Sequence, residues 1–269
     1  MATHTRTAPK GPMARFAQAL VRAMARHVGD ARAVLALVLL SGALLIGAGS
    51  FTFSWIAKEV MEGETHAFDQ AILGWMGRHG TPRVTDMALN ITALGSGMVV
   101  WLFVLVAAAF LYGSRHRWSA GLLLASVAGA GLISATLKEG FARPRPDVFP
   151  WRAPYAGQAS FPSGHSMTAM VAYATLAYLV MRLERKHSLR VMTLVFAVLL
   201  VAAVGTSRVY LGVHYPSDVL AGFVAGLVWA AFCAVTMEAL RLLRVRKPEI
   251  AEQEEGVETG AAPPPEAPA

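Results

Sequence analysis

The sequence contains little charge and almost no cysteine. Only 15% of its 269 residues are Asp, Glu, Lys or Arg, whereas ordinary soluble domains contain about 25%. Apolar residues make up 55% of the chain, so much of the protein surface must face something other than water. The one cysteine, Cys233, lies inside an apolar run, which excludes a disulfide framework and a cysteine-based zinc site.

A formal net charge of +7 raises the question of a nucleic-acid partner. The basic residues lie in short groups between long apolar runs, and they form no stripe interleaved with aromatic side chains. This distribution is typical of membrane proteins, whose basic residues flank the spans. We therefore expect the lipid bilayer as a partner and no nucleic acid.

Six stretches are long and apolar enough to form bilayer-spanning helices, which need about 20 residues each. They cover residues 33–56, 88–112, 119–137, 166–183, 191–205 and 219–240. The fifth stretch is short, and the residues that follow it are expected to extend it. The first is too long for the core of a cleavable signal peptide and is expected to be an uncleaved anchor. The predicted fold is all-α, a polytopic bundle of six transmembrane helices.

Basic residues beside the predicted spans indicate the orientation. Cationic groups precede the first span and follow the second, fourth and sixth, an alternation that places both termini in the cytoplasm. The loops after the third and fifth spans are then extracytoplasmic. The first of these loops breaks the positive-inside rule because it carries Lys138, Arg143, Arg145 and Arg152.

This orientation predicts three regions along the chain. They are a basic cytoplasmic segment (1–30), a six-helix transmembrane domain (31–241) and a cytoplasmic tail (242–269). The tail is acidic and rich in proline and alanine, and we expect it to be disordered. Short amphipathic helices over residues 68–76 and 13–27 are expected on the two membrane surfaces.

The first polar cluster stands at the end of the third predicted span. Arg145 follows Lys138 by seven residues and is enclosed by Pro144 and Pro146. The prolines stop the helix and stiffen the backbone, which holds the guanidinium in place. A fixed guanidinium beside an ammonium suits an anion with several oxygens, such as phosphate. Ordinary interfacial basic residues are the alternative interpretation.

The second cluster, Phe-Pro-Ser-Gly-His-Ser over residues 161–166, opens the fourth predicted span. Unpaired N–H groups and the helix dipole favour an anion at such a position, bound by the amides of Ser163 and Gly164. His165 follows within reach of that anion, and histidine suits proton transfer at neutral pH. A capping serine beside a bystander histidine is the alternative.

The third cluster runs from Ser207 and Arg208 to His214 and Asp218. Pro216 suits the first position of the sixth predicted helix, which places Asp218 in the first turn. A carboxylate there can accept the proton of one imidazole nitrogen of His214 and direct the other as a nucleophile. A local helix-capping pair is the alternative.

The predicted orientation brings all three clusters to one membrane face. Ionisable groups are costly in a membrane protein, so such a concentration indicates function. Two histidines, one aspartate and three cations together form an anion site with a nucleophile, an acid/base and charge clamps. A site of this kind also explains the loop that breaks the positive-inside rule.

The three clusters resemble the tripartite signature of the type 2 phosphatidic acid phosphatase superfamily, in its membrane-bound lipid phosphatase branch. That signature is a lysine, six residues and Arg-Pro; then Pro-Ser-Gly-His; then Ser-Arg, five residues, a histidine, three residues and an aspartate. The chain matches every position and spacing of it between Lys138 and Asp218. Residues 91–96 also resemble the start of the family's second helix, and the six-helix plan resembles that branch over 33–240.

The resemblance implies a metal-independent hydrolase of a lipid phosphate or a lipid (prenyl) pyrophosphate at the extracytoplasmic face. His214 would be the nucleophile that forms a phosphohistidine, Asp218 would orient it, and His165 would be the general acid/base. The substrate phosphate would be bound by Lys138, Arg145, Ser163, Gly164 and Arg208. We expect no cofactor and no metal, since the sequence near the site offers no carboxylate cluster for a pair of Mg²⁺ ions.

Two other functions stay open: a lipid phosphotransferase with an acceptor other than water, and a transporter or scaffold with a vestigial site. The complete signature argues against a vestige, and the lack of inverted repeats argues against a transporter. A soluble haloperoxidase-like relative is excluded by the six apolar spans. Undecaprenyl pyrophosphate, phosphatidylglycerol phosphate, phosphatidic acid and the phosphates of lipid A are the candidate substrates. The bacterial inner membrane is the expected location, and the oligomeric state stays open.

Overall fold

The computed structural model describes residues 31–154 and 157–258, and every regular element within them is helical. Eight α-helices follow one another along the chain: α1 Ala31–Glu62, α2 His66–Arg78, α3 Pro82–Ala93, α4 Gly97–Gly113, α5 Arg117–Phe141, α6 Gly164–Leu183, α7 His187–Tyr210 and α8 Pro216–Glu258. The predicted all-α fold is confirmed.

Five of these helices, α1, α5, α6, α7 and α8, contain stretches long and apolar enough to cross a membrane. The pair α3 and α4 passes the same test when taken together, although it is bent by 46° at a short break. Counted as one broken span, this pair corresponds to the second predicted span, 88–112, and brings the number of spans to six. The break follows from the local sequence, because the Ser96 side chain accepts a hydrogen bond from the Val99 amide and caps the start of α4.

Two predicted segments differ from the structure. The short helix α2 is present, but Asp69 and Leu73 on one of its faces are fully buried, so that face packs into the protein. The last helix, α8, continues through residues 242–258, where a disordered tail was predicted. Five of these seventeen residues are Glu, which favours helix. The predicted helix at 13–27, the rest of the segment 1–30 and residues 259–269 lie outside the described residues.

Small and branched aliphatic residues fill the interface between α4, α5 and α6. Its buried side chains include Val100, Val104, Leu123, Val127, Ala130 and Val171. By contrast, large apolar side chains on the outer faces of the helices are open, among them Leu44, Phe51, Met98 and Phe110, each at least 74% exposed. Open apolar surface of this extent is what a bilayer covers.

Residues 42–236 group into one compact unit, which contains the whole of the site described below. The second unit comprises residues 1–41 and 237–269; its described parts are the start of α1 and the end of α8.

The starts of α6 and α8 lie close together. The Ser163 amide donates a hydrogen bond to the backbone carbonyl of Asp218 at 3.0 Å. A Cβ atom at Gly222 would lie 2.7 Å from the Ser163 carbonyl oxygen, so only glycine permits this approach without a shift. The glycine therefore lets the two helix starts that carry His165 and Asp218 meet.

The loop between α5 and α6 is tied down through Arg152. The guanidinium of Arg152 donates to the backbone carbonyls of Met76, Gly77 and Tyr210, at 2.9–3.1 Å. Its own amide donates to the carbonyl of Leu211 at 3.0 Å. These bonds connect the loop to the end of α2 and to the end of α7.

Candidate active site

A cavity of about 200 Å³ lies between the end of α5, the start of α6 and the end of α7. Six of the eight predicted site residues line it: Lys138, Arg145, Gly164, His165, Arg208 and His214. The remaining lining residues are Leu89, Thr92, Ala153 and Pro154. The other two predicted residues, Ser163 and Asp218, are fully buried and do not line it. The three sequence clusters therefore come together in space.

His214 lies in the turn between α7 and α8 and is 1% exposed. Its Nδ1 lies 3.4 Å from Oδ2 of Asp218, and its Nε2 lies 3.3 Å from a guanidinium nitrogen of Arg145. Because arginine can only donate hydrogen bonds, Nε2 is the acceptor and Nδ1 carries the proton. The tautomer inferred from these contacts leaves Nε2 unprotonated, with its lone pair directed toward the Arg145 guanidinium.

The protonation of His214 is governed mainly by its burial. Burial lowers the pKa of His214 to about 4, and the cations of Arg208 and Arg145 act in the same direction. The hydrogen bond to Asp218 and its negative charge oppose this shift without overcoming it. The imidazole is therefore neutral at neutral pH, which is the state a nucleophile requires.

The start of α6 supplies His165 and backbone N–H groups to the cavity. Gly164 and His165 are the first two residues of the helix, where N–H groups have no intrahelical acceptor. The Ser163 amide was predicted to bind the anion. In the structure it instead donates a hydrogen bond to the Asp218 carbonyl. The Ser163 hydroxyl accepts from the Ser166 hydroxyl at 2.9 Å. Ser163 thus joins α6 to α8 behind the cavity.

Carbonyl groups of the α5–α6 loop hold two of the three cations. Lys138 Nζ donates to the Ala159 carbonyl at 3.1 Å. Arg145 donates through Nε to the Gly157 carbonyl at 2.6 Å and through a terminal nitrogen to the Val213 carbonyl at 2.5 Å. These bonds fix the direction of both side chains, as the flanking prolines of Arg145 suggested.

Arg208 is 5% exposed, and not all of its hydrogen-bond donors have an acceptor. One terminal nitrogen donates to the Thr92 hydroxyl at 3.1 Å. The buried Nε has no hydrogen-bond partner among the residues that the structure describes. No acidic side chain of the described chain lines this cavity with the three cations. An anion in the cavity would compensate this concentrated positive charge.

Sequence reasoning missed two residues next to the predicted set. Arg143 donates to Oδ1 of Asp218 at 2.6 Å and to Oδ2 of Asp69 at 2.9 Å. Arg143 was considered only as one of the loop cations, although it stands two residues before Arg145. Asp69 lies in α2 and carried a weaker signal, namely an acid four residues before the buried Leu73 and hence on the same helix face.

A second, wider cavity of about 1130 Å³ is formed by the α5–α6 loop itself. Arg145 lines both cavities, and in the wider one it is accompanied by Asp147, Phe149, Trp151 and Gln158. The Arg145 guanidinium lies 5.9 Å from the centre of the Trp151 ring. Across the described chain, no three His, Cys, Asp or Glu side chains are grouped so that they would hold a metal ion.

Comparison with known proteins finds similar membrane phosphatases. The family profile of the PAP2 superfamily matches residues 119–242, which include all eight predicted site residues. Phosphatidylglycerophosphatase B of Bacillus subtilis is 38% identical over 149 residues, which are 55% of this chain and 72% of that protein. Lipid A 1-phosphatase of Rhizobium johnstonii is 35% identical over 134 residues, 47% of this chain and 51% of that protein.

A solved structure is similar over most of the fold. It is the transmembrane PAP2-type phosphatidylglycerolphosphate phosphatase of Bacillus subtilis, with a TM-score of 0.68 and 29% identity. The similarity covers 72% of this chain and 96% of that structure.

Proposed function

This chain belongs to the PAP2 superfamily and is a multi-pass membrane phosphatase, and we propose that it hydrolyses a lipid phosphate or lipid pyrophosphate through a phosphohistidine on His214. One observation carries the proposal. The unprotonated Nε2 of a buried, neutral imidazole stands in a cavity lined by three cations. Positive charge around a nucleophilic nitrogen suits attack on a phosphoryl group.

In the first step, Nε2 of His214 attacks phosphorus, and the bond from phosphorus to the lipid oxygen breaks. His165 gives a proton to the departing oxygen, so that the lipid leaves as a neutral alcohol or as a lipid monophosphate. The imidazole becomes positively charged on attack, and Asp218 stabilises that charge through Nδ1. Acid catalysis of this kind contributes about 10²–10⁴ in rate.

In the second step, water attacks the phosphohistidine. His165, which gave up its proton in the first step, accepts one from the water. The bond between phosphorus and Nε2 breaks, inorganic phosphate forms, and His214 returns to its neutral form. Both histidines end the cycle as they began it, as a catalytic cycle requires.

The phosphoryl oxygens would be bound by Lys138, Arg145 and Arg208, together with the amides of Gly164 and His165. The unsatisfied Nε of Arg208 supports this assignment, because an oxygen of the substrate would supply the missing acceptor. Charge that develops on these oxygens in the transition state is stabilised most strongly in a buried site. We assign Ser163 to the positioning of α6 rather than to direct binding.

The substrate class rests on the relatives and on the surroundings of the cavity. The two relatives compared above are named for a phosphatidylglycerophosphatase and a lipid A phosphatase. Among the candidates we place phosphatidylglycerol phosphate first, because the former relative is matched over 72% of its length. The distribution of basic residues supports an extracytoplasmic site with cytoplasmic termini in a bacterial inner membrane.

The test is phosphate release by the protein purified in detergent with EDTA. The panel contains phosphatidylglycerol phosphate, phosphatidic acid, undecaprenyl pyrophosphate and lipid A. We expect release by the wild type, none by His214→Ala, and full release by the control His187→Ala, whose histidine is exposed at the start of α7. Acid-labile phosphate should be trapped on the wild type and on His187→Ala, and not on His214→Ala.

Activity of His214→Ala equal to the wild type would overturn the nucleophile assignment. Phosphate that appears on an added alcohol rather than in water would favour the phosphotransferase instead. If none of the proteins releases or transfers phosphate from any lipid, the proposed reaction is wrong.

A further inference from the structure

A buried polar network stands behind His214, on the side away from the cavity. It consists of Asp69, Arg143, Ser217 and Asp218, which we call the carboxylate network. Both carboxylates are fully buried, and the Arg143 side chain between them is 13% exposed. The residues come from three separate parts of the chain, namely α2, the α5–α6 loop and the first turn of α8. Their meeting is thus a product of the tertiary fold.

Both carboxylate oxygens of Asp69 accept hydrogen bonds within this network. Oδ1 accepts from the Ser217 amide at 3.0 Å, and Oδ2 accepts from the Ser217 hydroxyl at 2.6 Å and from Arg143 at 2.9 Å. Arg143 also donates to the Ser217 hydroxyl at 2.9 Å and lies 4.0 Å from the centre of the Tyr215 ring. Arg143 is therefore held by contacts on several sides.

The two oxygens of Asp218 have different partners. Oδ1 accepts the 2.6 Å bond from Arg143. Oδ2 accepts from the Tyr215 amide at 2.9 Å and faces Nδ1 of His214 at 3.4 Å. This division sets the rotation of the carboxylate, and it requires Arg143 to stay in place.

We propose that Asp69 and Arg143 are positioning residues, with Asp69 fixing Arg143 and Arg143 fixing the Asp218 carboxylate toward His214. This inference rests on the proposed role of His214 as the nucleophile. Neither residue lines the cavity, so each positions His214 through Asp218 and does not touch the substrate. Removing a hydrogen-bonded partner behind a catalytic group costs about 10–100-fold in activity by analogy with outer-shell residues of metal sites.

The network also sets the charge behind His214. Asp69, Arg143 and Asp218 carry formal charges of −1, +1 and −1, which sum to −1. The other charged or titratable groups that face His214 are Lys138, Arg145, His165 and Arg208. Those four remain unchanged when the network is altered, so a change in the network charge alone shifts the protonation of His214.

Substitutions in the network therefore have predictable signs. Asp69→Asn raises the network charge from −1 to 0, which disfavours the imidazolium. Arg143→Gln lowers it to −2, which favours the imidazolium. The pH below which kcat/KM falls should move down for the first and up for the second, each by about 0.5 unit or more. The double variant restores −1 and should return close to the wild-type pH.

The experiment measures kcat, KM and the pH dependence of kcat/KM for these three variants. We expect kcat to fall about 10–100-fold with KM changed less than about threefold. Arg143→Lys keeps the charge but loses the two-pronged geometry, so it should lower kcat with little shift in pH dependence. If Arg143→Gln does not fold, Asp69→Asn and Arg143→Lys still give the contrast.

The matched control is Arg152→Gln. Arg152 is an arginine of the same loop that donates to backbone carbonyls, and in the described part of the chain it forms no ion pair with Asp69 or Asp218. It should lower the melting temperature without moving the pH dependence. A purely structural role for Asp69 and Arg143 would give that same behaviour, and it would overturn the proposal. If Asp69→Asn and Arg143→Gln do not shift the pH dependence in opposite directions while His214→Ala is inactive, this inference alone is overturned. If His214→Ala is active, the proposed function is overturned.

Discussion

The guanidinium of Arg145 lies 3.3 Å from Nε2 of His214, on the opposite side of the ring from Asp218. The same guanidinium nitrogen donates to the Val213 carbonyl, one residue before the histidine. Arg145 therefore keeps Nε2 unprotonated and also places a cation beside the nitrogen that is proposed to attack phosphorus. The two functions of the guanidinium can be separated by substitution.

Replacement of Arg145 should reduce turnover more than binding. Arg145→Gln removes both the charge and the fork, and loss of one such transition-state donor costs about 10²–10³ in kcat. Arg145→Lys should recover part of that loss, since a lysine supplies the charge but not two parallel bonds. Steady-state kinetics in EDTA measure both variants. Arg83→Gln, at an exposed arginine in α3, is the control, and equal losses in all three variants would contradict the expectation.

The pH dependence of the wild type should reflect the low pKa of His214. The neutral imidazole is the active form in the proposed mechanism, and burial lowers the pKa of His214 from 6.5 to about 4. Activity that needs neutral His214 is therefore present at neutral pH and is lost only as the pH falls toward 4. The acid limb of kcat/KM should lie nearer pH 4 than pH 6.5.

The same shift has a consequence for stability. The unfolded chain binds a proton at His214 below about pH 6.5, but the folded protein does so only below about pH 4. The contribution of His214 to stability is thus complete above pH 6.5 and declines as the pH falls through this window.

Substrates ionise as well, so the pH dependence of kcat/KM should be recorded with a monophosphate and a pyrophosphate lipid. An acid limb that follows the substrate would refute assignment to His214.

Gly222 should be intolerant of a side chain because of its position against the start of α6. An added Cβ would lie 2.7 Å from the Ser163 carbonyl oxygen and 3.1 Å from the Ser166 Cβ. Overpacking of this kind costs about 1–3 kcal/mol. Gly222→Ala should lower the melting temperature in detergent and reduce kcat, because Asp218 and His165 move apart. Gly131→Ala, in α5 with no atom within 4 Å of an added Cβ, should do neither.

The sequence could predict the site residues that share a short motif, but not the residues that hold them in position. The spacing of His214 and Asp218 is local, and the helix that Pro216 begins brings them together. Asp69 lies 74 residues before Arg143, and no local pattern connects the two. The use of the Ser163 amide depends on the packing of α6 against α8, which only the tertiary structure determines.

The spans were predictable for a related reason. Apolar runs report directly on the length of a helix in a bilayer, so each of the other five predicted spans lies within one helix. The ends were less accurate, because α1 ends six residues and α8 eighteen residues beyond the predicted end. The break between α3 and α4 was missed because Leu94–Ser96 are compatible with an apolar run until the Ser96 cap is considered. The cap stabilises a new helix start, and the Tyr173 hydroxyl donates to the Leu94 carbonyl at 2.7 Å.

Thr92 provides a test of the proposed role of Arg208 in phosphate binding. Its hydroxyl accepts the 3.1 Å bond from Arg208, and it lines the cavity. Thr92→Val keeps the shape of the side chain but removes this acceptor from the buried guanidinium. Arg208 then loses its fixed direction, and a hydrogen bond to a charged group is worth about 1.5–3 kcal/mol.

The measurement is competitive inhibition by inorganic phosphate, which needs no knowledge of the preferred lipid. We expect Thr92→Val to weaken phosphate inhibition about tenfold or more, in line with that hydrogen-bond energy. Thr85→Val is the matched control, because Thr85 lies in the same helix and contacts Tyr210 rather than the cavity. If both variants bind phosphate as the wild type does, Arg208 does not bind the phosphoryl group through the geometry seen here. Loss in both would instead indicate that α3 as a whole had shifted.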